Sequence, residues 1–227
     1  MNKLALAVAA AALIAAGHGA FAADTTATYT VTFDGTWSAA THPLDYPPGA
    51  HFSGLIGATH DDRYVLFRAG GTATAGLERL AEMGEHTPLD GEIRAAIAAG
   101  AAGTLIEARP IFGPPGSATA TFTIDSGHPM VSLVAMVAPS PDWFGGVAGV
   151  DLREGAGWVS RKAMTVYAWD AGTDSGTTYR ADDIDTQPRG AIMLNAAPHF
   201  MQNGQLVPVG TLVFEKTGEK SARLSPQ

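Results

Sequence analysis

The chain has 227 residues, with 22 acidic against 14 basic side chains, a formal net charge of −8 and no cysteine. The acidity, with no basic stripe anywhere, excludes a nucleic-acid partner, because such binding rests on basic contacts to phosphates. No disulfide can brace the fold, so any cross-link is left to packing or to a metal.

Residues 1–22 read as a secretory signal: Lys3 opens it, Leu4 to Ala16 is apolar, and Ala20-Phe21-Ala22 fits a small-x-small cleavage site. The mature chain then begins at Ala23, and no later run approaches the ~20 apolar residues of a membrane span. An exported protein, periplasmic or secreted, is expected. Residues 23–227 suit one β-rich domain.

Thr28 to Phe33 alternates, with Tyr29, Val31 and Phe33 on one face, and predicts a half-buried strand that ends at Asp34-Gly35. Pro43, Pro47 and Pro48 make 42–49 a loop. His51 to Thr59 is apolar without a clean period, and Tyr64 to Phe67 is a short strand candidate. Gly70 to Gly76 is Gly-rich but lacks the Lys-Ser/Thr ending of a phosphate loop, so it reads as a helix approach. Leu77, Leu80, Ala81 and Gly84 keep helical spacing. A second helix is expected from Thr87 as N-cap and Pro88 at the first turn, with Leu89, Ile93, Ala96 and Ile97 as its apolar stripe and Gly100 and Gly103 as stops.

Beyond Pro110 the chain turns β-rich. Ala120 to Asp125 alternates with Phe122 and Ile124 inward, and Met130 to Ala138 is apolar on both faces, as a strand covered on both sides is. Ala163 to Trp169, Ala191 to Leu194 and Thr211 to Phe214 are further strands, and the polar 216–227 tail is expected to fray. The sum is a mainly β chain: an antiparallel sandwich with a helical insertion at about 73–100.

Two acidic segments stand out, Pro139-Ser-Pro-Asp-Trp-Phe-Gly-Gly-Val147 and Trp169-Asp-Ala-Gly-Thr-Asp-Ser-Gly176. Each sets aspartates in a Gly-, Pro- and Ser-rich stretch after an apolar run. Carboxylates in loops at strand ends are what Ca2+, with its 6–8 oxygen ligands, requires. Asp near Gly and Pro is equally a common turn residue. Trp143 and Phe144 either insert into lipid or a partner, or anchor the loop in the core. The large rings favour the core. The histidines are scattered without zinc spacing, and His51, His60 and His128 read as structural. Asp182-Asp183-Ile184-Asp185 reads as a solvated loop or a second, weak cation site. No Gly-x-Ser-x-Gly elbow or other catalytic constellation is present.

Five stretches in order, Tyr29 to Trp37, His51 to His60, Gly76 to Gly84, Pro139 to Val147 and Asp170 to Gly176, resemble the spondin N-terminal domain family of F-spondin and mindin over about residues 28–215. The resemblance implies a C2-like antiparallel β-sandwich that binds one Ca2+ at a loop end, with Asp142, Asp170 and Asp174 as ligands. It also places a family glutamate at the position of Thr123, with Asp125 two residues on along the same face. The expected function is an exported calcium-binding adhesion or recognition module for an extracellular or envelope protein or glycan. The alternatives are a β-sandwich hydrolase or lyase acting on carbohydrate, and a calcium-dependent membrane-surface module that uses Trp143 and Phe144.

Overall fold

The computed structural model describes residues 25–221; the expected signal, Ala23, Asp24 and residues 222–227 lie outside them. The elements run β1 (Thr25–Gly35), β2 (His51–Phe52), β3 (Leu55–His60), α1 (Ala75–Met83), α2 (Leu89–Ala98), β4 (Ala102–Ala108), β5 (Ile111–Phe112) and β6 (Gly116–Asp125). They continue with β7 (Met130–Ala138), β8 (Trp143–Asp151), β9 (Arg153–Glu154), β10 (Gly157–Trp158), β11 (Arg161–Asp170), β12 (Met193–Leu194), β13 (Met201–Gln202), β14 (Gln205–Leu206) and β15 (Gly210–Ser221).

The main sheet is antiparallel in the order β4-β3-β7-β8-β11-β15-β1-β6. Its two ends meet: β4 packs on β6, and the Thr104 hydroxyl donates to the Thr123 carbonyl at 2.7 Å. The sheet thus folds back on itself as a sandwich around one core. Tyr29, Val31 and Phe33 of β1, Phe122 and Ile124 of β6, and Leu212 and Phe214 of β15 all point into it. Each such side chain contributes about 1.5–3 kcal/mol by burial. Edge-on and stacked ring pairs, Phe33–Phe52 at 4.8 Å and Tyr29–Phe122 at 6.0 Å, add shape specificity.

A second core lies on the outer face, where α1 and α2 cover β3, β7 and β8. This explains why β7 is apolar on both faces. Leu133, Ala135 and Val137 enter the sandwich, whereas Val134 meets the helices. Helix α1 starts at Thr74, whose hydroxyl oxygen accepts the Leu77 N–H at 3.1 Å, and ends at Gly84 in the left-handed region with φ 68°. Glu92 of α2 accepts the Gly76 N–H at 2.8 Å, a carboxylate placed where the dipole of α1 favours it.

Several elements differ from the sequence reading. Helix α2 begins at Leu89, with Pro88 just outside it, because the Thr87 hydroxyl donates to Asp90 at 2.9 Å and does not cap the backbone. Gly103 stops nothing and lies inside β4, a strand whose alternation is too weak to read. Tyr64 to Phe67 is loop; its apolarity is explained by Leu66 and Phe67, which anchor it in the second core. The Gly-rich Trp143–Val147 stretch is the start of β8. Strand β15 runs to Ser221, since its polar residues pair with β1 from Thr25 to Thr28.

Candidate metal centre

Strand β7 delivers the chain to the turn at 139–142. There the Ser140 hydroxyl oxygen accepts the Trp143 N–H at 3.1 Å. Trp143 and Phe144 then alternate across β8. Trp143 packs in the main core against Tyr179, with ring centres 5.2 Å apart, and Phe144 packs in the helix-side core against Phe67 at 5.0 Å. Both rings are closed from solvent, at 1 % and 0 % exposure. They hold Asp142 in place and cannot serve as a lipid-inserting tip.

Trp143 pairs with Asp170 at the end of β11, so the two acidic segments leave the sheet side by side. The Asp170 carboxylate accepts the Gly172 N–H at 2.9 Å, which turns the loop back at once. Gly172 takes φ 71° there, a conformation that suits glycine. Asp174 accepts the Gly176 N–H on one oxygen at 2.6 Å and the Ile184 N–H on the other at 3.1 Å. It also bridges to Asp185, so the acidic 182–185 run folds onto the same loop end.

Asp142 is fully buried. Its Oδ2 accepts the N–H groups of Thr173 at 2.8 Å and Asp174 at 3.2 Å. Its Oδ1 is buried with no partner at all. Burial first, then the charge of Asp170, pushes the Asp142 carboxyl up to about 6, against the pull of the Thr173 and Asp174 N–H groups and with a smaller push from Asp174. Burial also raises Asp170; the Gly172 N–H opposes this and the Asp174 charge adds to it. The Trp143 indole N–H has no bonded partner, yet lies close enough to Asp170 to favour its charged form.

Asp142, Asp170 and Asp174 are therefore electrostatic neighbours on two adjacent loops. Among the described residues, however, no three His, Asp or Glu side chains converge closely enough to hold a metal as they stand. Backbone N–H groups engage oxygens of all three aspartates. The donor chemistry nevertheless fits a hard cation: three carboxylates, and in Asp142 Oδ1 a buried anionic oxygen with nothing bound to it.

Thr123 and Asp125 lie elsewhere. Thr123 sits on β6 opposite Thr28, and Asp125 caps the following turn by accepting the N–H groups of Gly127 at 2.8 Å and His128 at 3.0 Å. His51, His60 and His128 each hold a structural partner; His60 is bonded to Ser132 at 2.7 Å. The acid passed over in the sequence is Glu82, in the last turn of α1. It lines a recess of about 100 Å³ with Met83, Ser140, Pro141, Asp174, Ala181 and Asp183. Its only sequence signal is its place in the Gly76–Gly84 stretch, where helical periodicity marks it as an ordinary polar position.

The chain is similar to known proteins over most of its described residues. The Spondin_N family model matches residues 27–202. The chain is 35% identical over 210 residues to mouse Spondin-1, covering 86% of this chain and 26% of that protein. It is 35% identical over 203 residues to human Spondin-2, covering 85% and 60%, and 34% identical over 228 residues to rat Spondin-2, covering 92% and 68%. The chain thus spans about a quarter of the length of the Spondin-1 relatives.

Proposed function

The chain belongs to the Spondin_N family, and from that premise we propose that it is an exported recognition module whose acidic loop end is ordered by one Ca2+ held by Asp142, Asp170 and Asp174. The observation that carries the proposal is Asp142 Oδ1, a carboxylate oxygen buried without a partner in a side chain that feels the charges of Asp170 and Asp174. A buried charge of this kind is costly unless a counter-charge meets it. Ca2+ would supply that counter-charge, with Asp142, Asp170 and Asp174 as the residues that would hold it. Asp142 fixes the end of β8, Asp170 the end of β11, and Asp174 ties in the 182–185 run. The three together set the shape of one end of the sandwich, and that end is the surface offered to an extracellular or envelope protein or glycan. Asp142 is closed from solvent, which favours this reading over a hydrolase or lyase that needs its carboxyl groups open to substrate.

Thermal unfolding in calcium and in chelator tests the proposal. Calcium at a hundredfold its Kd stabilises by about 2.7 kcal/mol, a rise in Tm of roughly 5–10 °C for a chain of this size. Asp170→Asn removes most of that rise. Asp125→Asn, which alters a turn carboxylate on another strand, keeps it. Superimposable melting curves with and without calcium overturn the calcium reading.

A further inference from the structure

We infer that Glu82, carried by the helical insertion, is a fourth carboxylate of the cation site and raises its affinity. The inference rests on the calcium reading above.

Three features of Glu82 go against the folding rules and are reconciled by a cation. It sits in the last turn of α1, where the helix dipole disfavours a negative charge and the turn holds no basic residue; Arg79, three positions back, feels its charge but is paired with Glu85. It is half-buried, yet among the described residues it makes no ion pair. Its neighbours are themselves acidic: Asp174 and Asp183 share its recess, and Pro141 on the recess wall precedes Asp142. Burial first raises the Glu82 carboxyl, the Thr173 hydroxyl opposes this, and the charges of Glu78, Asp183 and Asp142 raise it further. Thr173 is the residue whose N–H and hydroxyl face Asp142 Oδ2, at 2.8 and 3.4 Å. One hydroxyl therefore stands between Glu82 and the aspartate that bears the orphaned oxygen.

The placement of α1 is not accidental to this. Leu77, Leu80 and Ala81 seat the helix on the outer face of β7 and β8, so its C-terminal turn is presented to the loops that leave those strands. The recess of about 100 Å³ has room for roughly three water molecules, the usual complement to a short set of carboxylate ligands. Natural proteins keep such locally unfavourable groups where a site needs them.

Calcium titration calorimetry on the mature chain, with melting curves in chelator, tests the inference. The variants are Glu82→Gln and, as a control with the same charge change, Glu85→Gln, whose carboxylate pairs with Arg79 at the surface. Glu82→Gln is expected to weaken calcium binding about tenfold, the scale of one partly screened charge. It is also expected to leave the chelated protein as stable as the parent or more so, because a crowded charge is gone. Glu85→Gln is expected to leave calcium affinity unchanged. Two outcomes overturn the inference alone: parent-like affinity in Glu82→Gln, or a chelated Tm that falls along with affinity, which marks a merely structural role. If the parent chain binds no calcium, the calcium reading fails and this inference fails with it.

Discussion

Asp142 is where the chain departs most from ordinary folding practice, and its titration makes that measurable. Its carboxyl is held up to about 6 in the folded chain, against a usual value of 3.8. Between those values the folded chain keeps a proton that the unfolded chain has lost, so stability falls as pH rises through the window. The stabilisation is whole below about pH 4 and gone above about pH 6. In chelator, Asp142→Asn should therefore gain on the parent as pH rises from 4 to 7, by about 2 kcal/mol. Parallel stability profiles for the two proteins would show that Asp142 carries no such strain. The site was legible in the sequence only as far as its local chemistry. The Asp-x-x-x-Asp spacing and the Pro-Ser-Pro-Asp turn could be seen, but the meeting of Glu82 with Asp174 and Asp183 in one recess could not, because Glu82 lies sixty positions upstream of Asp142 in a helix.

Strands whose period is clean were legible, and those whose glycines break it were not. β1 and β6 alternate and β7 is solidly apolar, so each follows from its residues. β8 opens inside the Gly-, Pro- and Ser-rich segment 139–147, whose Gly145 and Gly146 give it the look of a loop. Yet a side chain at Gly146 would come within 2.7 Å of the Leu133 carbonyl oxygen and 2.8 Å of Val134 Cγ1. Glycine here lets two buried strands lie close. It does not loosen the backbone. Gly146→Ala should cost about 1–3 kcal/mol by overpacking. Gly91 of α2 offers the contrast: nothing lies within 4 Å of its missing side chain, and it is exposed in a helix. Gly91→Ala should stabilise by about 0.5–1 kcal/mol. Denaturant unfolding of both variants checks the pair, and an unaffected Gly146→Ala protein would mean that β7 and β8 do not approach as described.

Over the whole molecule the two cores divide the work. The β1–β6–β15 side is an aromatic-rich ladder that carries none of the three aspartates and meets the acidic loops through core packing alone, as where Trp37 lies against Tyr179. The β7–β8–β11 side carries both α1 and the loops that leave these strands. A cation at the loop end should therefore order one side and leave the other as it was. Hydrogen exchange in calcium against chelator should show added protection at 139–142, 171–186 and the last turn of α1. The inward ladder of β1, β6 and β15, already closed by pairing from Thr25 to Gly35, should exchange alike in both. The turn at Asp125 to His128, acidic as it is, belongs to the unresponsive set because its carboxylate is already committed to Gly127 and His128. Protection that rose evenly over the whole sheet would mean that calcium acts on global stability without a local seat. Protection that rose at the loops but not at α1 would separate the aspartates from Glu82, and would confine the cation site to the three residues that the two acidic segments supply.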